Sequence, residues 1–242
     1  GLKTEKLYEI LDLIAYYFPE CEGINMDATV TSILHKSQEE LEMLARKKVK
    51  HLYLGIESGL DDVLKFMKKD HDLAQAYQAI DRLHEAGLIY DAHIMTGVAG
   101  KGRGMENAEA LAQFLNRTNP AHVVNFSMFL HKEVPLYQDI RQGTFVPADE
   151  LETIREEYHL IERIAPEKAG ANILYDGFHD FIHVRVRGHL PGDKEKMLAK
   201  LNGIIQEYEG KEPVYSFVQG ECPDLEYCDD GKAVWDMDRK TS

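Results

Sequence analysis

Short apolar runs alternate with amphipathic helical periods over most of this chain, and that alternation restricts its fold more than any other feature. Strands each separated by a helix can pair side by side only as parallel neighbours. Leu7, Ile10, Leu11, Ile14 and Phe18 recur at helical spacing, predicting a helix over 3–18 before a strand at 23–27. Ser37 and Glu40 have the spacing of a capping box and open a helix ahead of a strand at 50–55. A helix over 73–86 stopped by Gly87, a strand at 90–97, a helix over 106–116 and a strand at 121–130 continue the rhythm. The expected class is α/β, a partial (β/α) barrel with parallel strands. An open doubly wound sheet would usually carry a glycine-rich first turn, which is absent. After a helix over 148–164 the pattern changes. Residues 181–188 alternate like a strand, Pro191 and Asp193 open a helix to Tyr208, and 214–218 reads as a last short strand. The chain thus divides into residues 1–165, the barrel portion, and 166–242, a small C-terminal α+β extension ending in an acidic tail.

Charge and cysteine usage narrow the function. The 242 residues carry 28 basic and 42 acidic side chains, a net charge of −14. Such a surface repels phosphate backbones and anionic lipid, and no run of basic residues offsets it, so neither nucleic acid nor membrane is expected as a partner. No apolar run reaches the length of a membrane span. Three cysteines, Cys21, Cys222 and Cys228, fit a reducing, cytoplasmic setting and have no zinc-ribbon spacing. His179 and His183 would share one face of a strand but about 13 Å apart, too far for one metal ion.

In parallel α/β architectures ligands bind beyond the carboxyl ends of the strands. Glu57, between Gly55 and Gly59, stands at such an end, where its carboxylate can accept hydrogen bonds from a ribose diol. It can equally serve as an acid at the start of the next helix. Asn25 is expected at the same mouth, either as a ligand contact or as ordinary turn chemistry. His93 is a lone histidine in an apolar strand, and Gly97 would let a planar ring approach the strand end. The loop 97–104 is glycine-rich but lacks the lysine and hydroxyl of a phosphate loop, and reads as solvent-facing.

Taken in order, these strand ends resemble the later part of a radical S-adenosylmethionine enzyme. The likeness rests on Ile24-Asn-Met-Asp-Ala28, on the Gly55-Ile-Glu-Ser-Gly59 stretch within 49–64, on 79–97, and on Pro135-Leu-Tyr137 with Gly143-Thr-Phe-Val-Pro147. The subgroup it is most similar to is that of oxygen-independent coproporphyrinogen oxidase, through the segment 179–198 as well. The resemblance implies an oxidoreductase-like enzyme with S-adenosylmethionine and a [4Fe–4S] cluster as cofactors and an unidentified small-molecule substrate. Glu57 and Asn25 would then meet the ribose or methionine part, and His93 and Gly97 would line the adenosine.

The family holds its cluster with cysteines spaced C-x-x-x-C-x-x-C, a motif this sequence lacks. The expectation is therefore a fragment with cluster ligands upstream of Gly1, catalytically inert alone, and associating through an exposed sheet edge. No catalytic or metal-binding residue is assigned to it. Two other readings stand beside this one: a cluster-free α/β-barrel lyase or isomerase using Glu57 as base, and a non-catalytic binding or scaffold module.

Overall fold

The computed structural model describes residues 2–217. One six-stranded sheet runs in chain order: β1 (Ile24–Ala28), β2 (Val49–Glu57), β3 (Ile89–Thr96), β4 (His122–Ser127), β5 (Ile173–His179) and β6 (Val184–Leu190). The first five strands are parallel and β6 returns antiparallel to β5. Right-handed crossovers between successive neighbours place every connecting helix on the same side of a sheet. The helices are α1 (Thr4–Tyr17), α2 (Val30–Leu34), α3 (Gln38–Arg46), α4 (Asp61–Phe66), α5 (Leu73–Glu85), α6 (Gly104–Thr118), α7 (Leu136–Gln142), α8 (Glu150–Arg163) and α9 (Lys194–Tyr208).

Local chemistry accounts for several boundaries. Capping boxes at Thr29, Ser37 and Asp72 satisfy the first amides of α2, α3 and α5. Leu52, Leu54 and Ile56 of β2 and Tyr90, Ala92 and Ile94 of β3 are buried in one core with Leu83 of α5, Leu111 of α6 and Leu160 of α8. A smaller core, including Val63, Val98, Met128, Tyr137 and Phe145, covers the carboxyl ends of β3 and β4. The other face of the sheet carries Tyr53, His93, Phe126, Phe178 and Arg185, none of them fully buried. Parallel sheets usually have both faces covered. Here one stays open, and among the described residues β1 and β6 do not meet to close a barrel.

Four sequence expectations change. β5 was not anticipated, because Asp176 and Gly177 interrupt its apolar run; it joins β4 in register, so the strands of the α+β extension prolong the same sheet. His179 and His183 do not share a strand: a 3-10 turn, Asp180–Ile182, separates them, and His183 adopts a left-handed φ of 54°. The loop after β3 is not solvent-facing throughout, since Val98, Ala99 and Gly100 are buried and only its tip, Lys101 and Gly102, is exposed. Of the expected strand at 214–218, Phe217 makes a single bridge to Leu130, and residue 218 lies outside the described residues, as do Cys222, Cys228 and the acidic tail.

Candidate functional site

The carboxyl end of β2 finishes in an unusual turn. Glu57 has φ +64°, and the Ser58 amide donates to the Ile56 carbonyl at 2.8 Å, closing a three-residue turn centred on the acid. A non-glycine residue in that region is strained, by about 1–2 kcal/mol. The turn follows an irregularity in register between Gly55 and Glu57. Its result is to fold the carboxylate back over Gly55: a Cβ placed there would lie 2.8 Å from Glu57 Oε1. Gly55 is thus required for the acid's position. Gly59 serves packing instead, as a Cβ there would stand 2.4 Å from the α6 backbone at Ala110. Lys69 Nζ donates to Glu57 Oε1 at 3.2 Å, which marks the carboxylate as a hydrogen-bond acceptor facing the open side.

A buried chain of hydrogen bonds ties this turn to the end of β3. Ser58 Oγ donates to Asn107 Oδ1 at 2.6 Å, and Asn107 Nδ2 donates to Glu156 Oε1 at 2.7 Å. Glu156 Oε2 accepts the Gly97 amide at 2.8 Å. Gly97 itself has φ +81°, and a Cβ would stand 2.8 Å from Thr153 Cγ2, so only glycine fits against α8. Burial pushes the Glu156 carboxyl up to about 8, against the bonds from Asn107 and Gly97 that favour its anion.

A second buried group lies beneath β4 and β5. His179 Nδ1 is 2.9 Å from Glu150 and its Nε2 is 3.1 Å from Glu157. Burial alone would lower the imidazolium, but the bonds and charges of the two carboxylates outweigh it and push His179 up to about 10. Asn125 and Tyr175 also donate to Glu157, completing an anchor between α8 and the strands. His179 is therefore a structural ion-pair partner. Among the described residues no cluster of three or more histidine, cysteine or acidic side chains could hold a metal ion.

Of the four expected contacts the structure brings two together, Glu57 and His93. His93 pairs with Gly55 across β2 and β3, on the open face below Glu57, with its ring 5.1 Å from that of Tyr53. Gly97 follows β3 directly but is buried, with Thr153 and Met128 where a Cβ would stand, so close packing and not the approach of a planar ring accounts for this glycine. Asn25 does not join them. It pairs with His51, six residues before Glu57 on β2, which places it about 20 Å away at the amino end of the sheet. The reason is stagger: β1 ends at Ala28, opposite Leu54, so even its last open-face residue, Asp27, stops short of the mouth. Lys48 and Lys50, the lysines nearest the start of β2, also sit at the amino end, away from Glu57. Ser58, Asn107 and Glu156 escaped sequence reasoning. One signal was present: Glu150 and Glu157 occupy the same helical stripe as Ile154 and Ile161, a core position where acids are rare.

The sequence profile of the radical SAM superfamily matches residues 2–115, the stretch that contains β1, β2, β3 and the Glu57 turn. This segment belongs to the radical SAM superfamily. A tRNA uridine(34) acetyltransferase of Methanocaldococcus infernus is 25% identical over 119 residues, which are 49% of this chain and 22% of that protein. The M. infernus Elp3 structure with its N-terminal residues 1–46 deleted superposes with a TM-score of 0.57 at 17% identity, covering 77% of this chain and 42% of that one. Coproporphyrinogen III oxidase (HemN) of Escherichia coli, described as a radical SAM enzyme, superposes at 0.44 and 13% identity, over 77% of this chain and 49% of that one. The chain thus spans about a fifth of the length of the curated relative it matches.

Radical SAM enzymes employ S-adenosylmethionine with a [4Fe–4S] cluster, and the two parts fit this chain differently. The 242 residues contain no three-cysteine motif. Cys21, the cysteine among the described residues, sits in the loop before β1, at the end of the sheet opposite Glu57, with Sγ 3.4 Å from the Gly23 carbonyl. These residues do not fit the cluster. The turn at Glu57 does offer a nucleoside a hydrogen-bond acceptor at the strand end, with the place over Gly55 taken by that carboxylate and by Lys69. No described helix is long and apolar enough to cross a membrane.

Proposed function

We propose that this chain carries part of the adenosyl-binding side of a radical SAM enzyme, with the cluster thiolates supplied by polypeptide other than these 242 residues. The observation that carries the reading is the strained turn that holds the Glu57 carboxylate over Gly55, at the strand end where the superfamily match lies. In this role Glu57 accepts the ribose hydroxyls, exchanging its bond to Lys69 for theirs, while His93 borders the base. The chain alone performs no redox step, since the electron donor belongs with the cluster. The parent enzyme's substrate lies against the open face of the sheet.

Titration calorimetry with S-adenosylhomocysteine tests this. Saturable binding by the chain that falls at least tenfold in Glu57→Ala, with an unchanged circular dichroism spectrum, is the expected result. Equal binding by the variant overturns the role of Glu57. Absence of saturable binding at millimolar ligand overturns the claim that these residues form a nucleoside site by themselves.

A further inference from the structure

The open face holds, outside the family-matched segment, a pair of rings and a group of cations that the nucleoside site does not use. The Phe126 and Phe178 rings stack, with centroids 5.7 Å apart and planes 17° from parallel. The Arg185 guanidinium lies over Phe178 at 4.7 Å, and Asp176 fixes it there through bonds of 2.8 and 2.6 Å. His93 extends the line on the other side, edge-on to Phe126 at 5.9 Å. Phe126 is 36% exposed, although a sheet surface offers it neighbours on both sides.

This aromatic row runs out to a groove of about 440 Å³ along the edge strand β6, lined by Arg185, Arg187, Lys196 and Lys200 with Val186 and Met197 at its floor. Arg185 and Arg187 lie about 7 Å apart along the strand, and Lys196 and Lys200 about 6 Å apart on one turn of α9. All four are exposed. Asp176 offsets part of this charge, pairing with Arg185 and approaching Arg187 at 3.7 Å. Lys200 also bonds the Arg185 carbonyl at 2.5 Å, which blunts the strand edge. Edge protection accounts for one lysine. It does not account for four cations in one groove of a chain whose net charge is −14, nor for exposed stacked rings leading to it.

We propose that Phe126, Phe178 and the β6 groove form a binding surface for single-stranded nucleic acid. A base extends the row by stacking on the outer face of the Arg185 guanidinium, since Phe178 already lies between Phe126 and Arg185; neighbouring bases rest against the exposed ring edges, and successive phosphates follow the cations. Stacking platforms beside a positively charged groove are the general means of holding unpaired strands. Evenly repeated cations match a ligand whose charges repeat along its length better than one with a single anionic group. The surface meets the adenosyl contacts only at His93, which no variant in its test alters, so it stands or falls independently of them.

Fluorescence anisotropy of a 5′-labelled 12-nucleotide RNA with the full 242-residue chain at low salt is the test, with a DNA of the same sequence in parallel. Micromolar or tighter binding is expected, weakened at least tenfold in the exposed double variant Arg187→Glu with Lys196→Glu. Arg185→Lys, which keeps the charge and removes the planar face, should weaken it about 5- to 150-fold, the range of one lost stacked base. An unlabelled duplex of that sequence should compete poorly. Absence of binding by the wild type, equal competition by the duplex or by inorganic polyphosphate, an unaltered affinity in either variant, or binding of a carboxylated porphyrin in place of RNA each overturns the proposal. Circular dichroism of both variants confirms that they fold.

Discussion

At Glu57 the backbone adopts a conformation that costs the fold energy and sets the carboxylate where a ligand would meet it. Glycine accepts that φ without the Cβ penalty. Glu57→Gly should therefore raise stability by up to about 1 kcal/mol in urea denaturation while removing S-adenosylhomocysteine binding. A variant less stable than wild type would show that the Lys69 bond outweighs the backbone strain. Gly97→Ala should act oppositely on stability, losing about 1–3 kcal/mol, because the methyl group meets both a left-handed φ and Thr153. The strand ends at Glu57 and Gly97 could be read from sequence because a parallel strand end identifies itself by the glycines around it, but that Gly97 serves packing against Thr153 could not. Ser58, Asn107 and Glu156 could not, since their connection depends on α6 and α8 meeting over β2 and β3, a matter of packing and not of spacing.

Among the elements, the four leading strands and most helices were legible because each keeps one period over its whole length and ends in a cap or glycine. β5 was hidden by Asp176 and Gly177. Both have reasons visible only in three dimensions: Asp176 holds Arg185, and a Cβ at 177 would stand 1.8 Å from Glu157. Asn25 was misplaced for the related reason that stagger between strands leaves no trace in either strand alone. Close approach of α6 to the turn after β2 makes its own prediction. Gly59→Ala puts a methyl group against backbone at Ala110, which cannot rotate away, so thermal unfolding should shift down by an amount corresponding to about 1–3 kcal/mol. An unchanged midpoint would mean that α6 slides freely over this turn.

For the molecule as a whole, the buried acids of α8 make stability depend on pH. Glu156 titrates near 4.5 when unfolded and about 8 in the fold, so the native state holds the extra proton between these values, and stability from this group declines as pH rises through that interval. His179 titrates near 6.5 unfolded and about 10 folded; its contribution is complete below about pH 6.5 and is lost as pH climbs through 10. Urea midpoints should accordingly fall from pH 5 to pH 10. Glu156→Gln should flatten the lower part of that decline. His179→Gln should flatten the part above pH 7 while lowering stability throughout, because Glu150 and Glu157 are left buried without their cation. A midpoint that stays level or rises between pH 7 and 10 would contradict the His179 arrangement.

Glu156 is one side chain serving two masters. Its first oxygen steadies the loop that turns at Glu57, and its second steadies the loop that leaves β3 at Gly97. The two lips of the opening consequently share a hinge pin lodged in a helix that neither of them belongs to. A displacement of α8 would reach both together, and a substitution that reshaped only one lip would have to contend with the other.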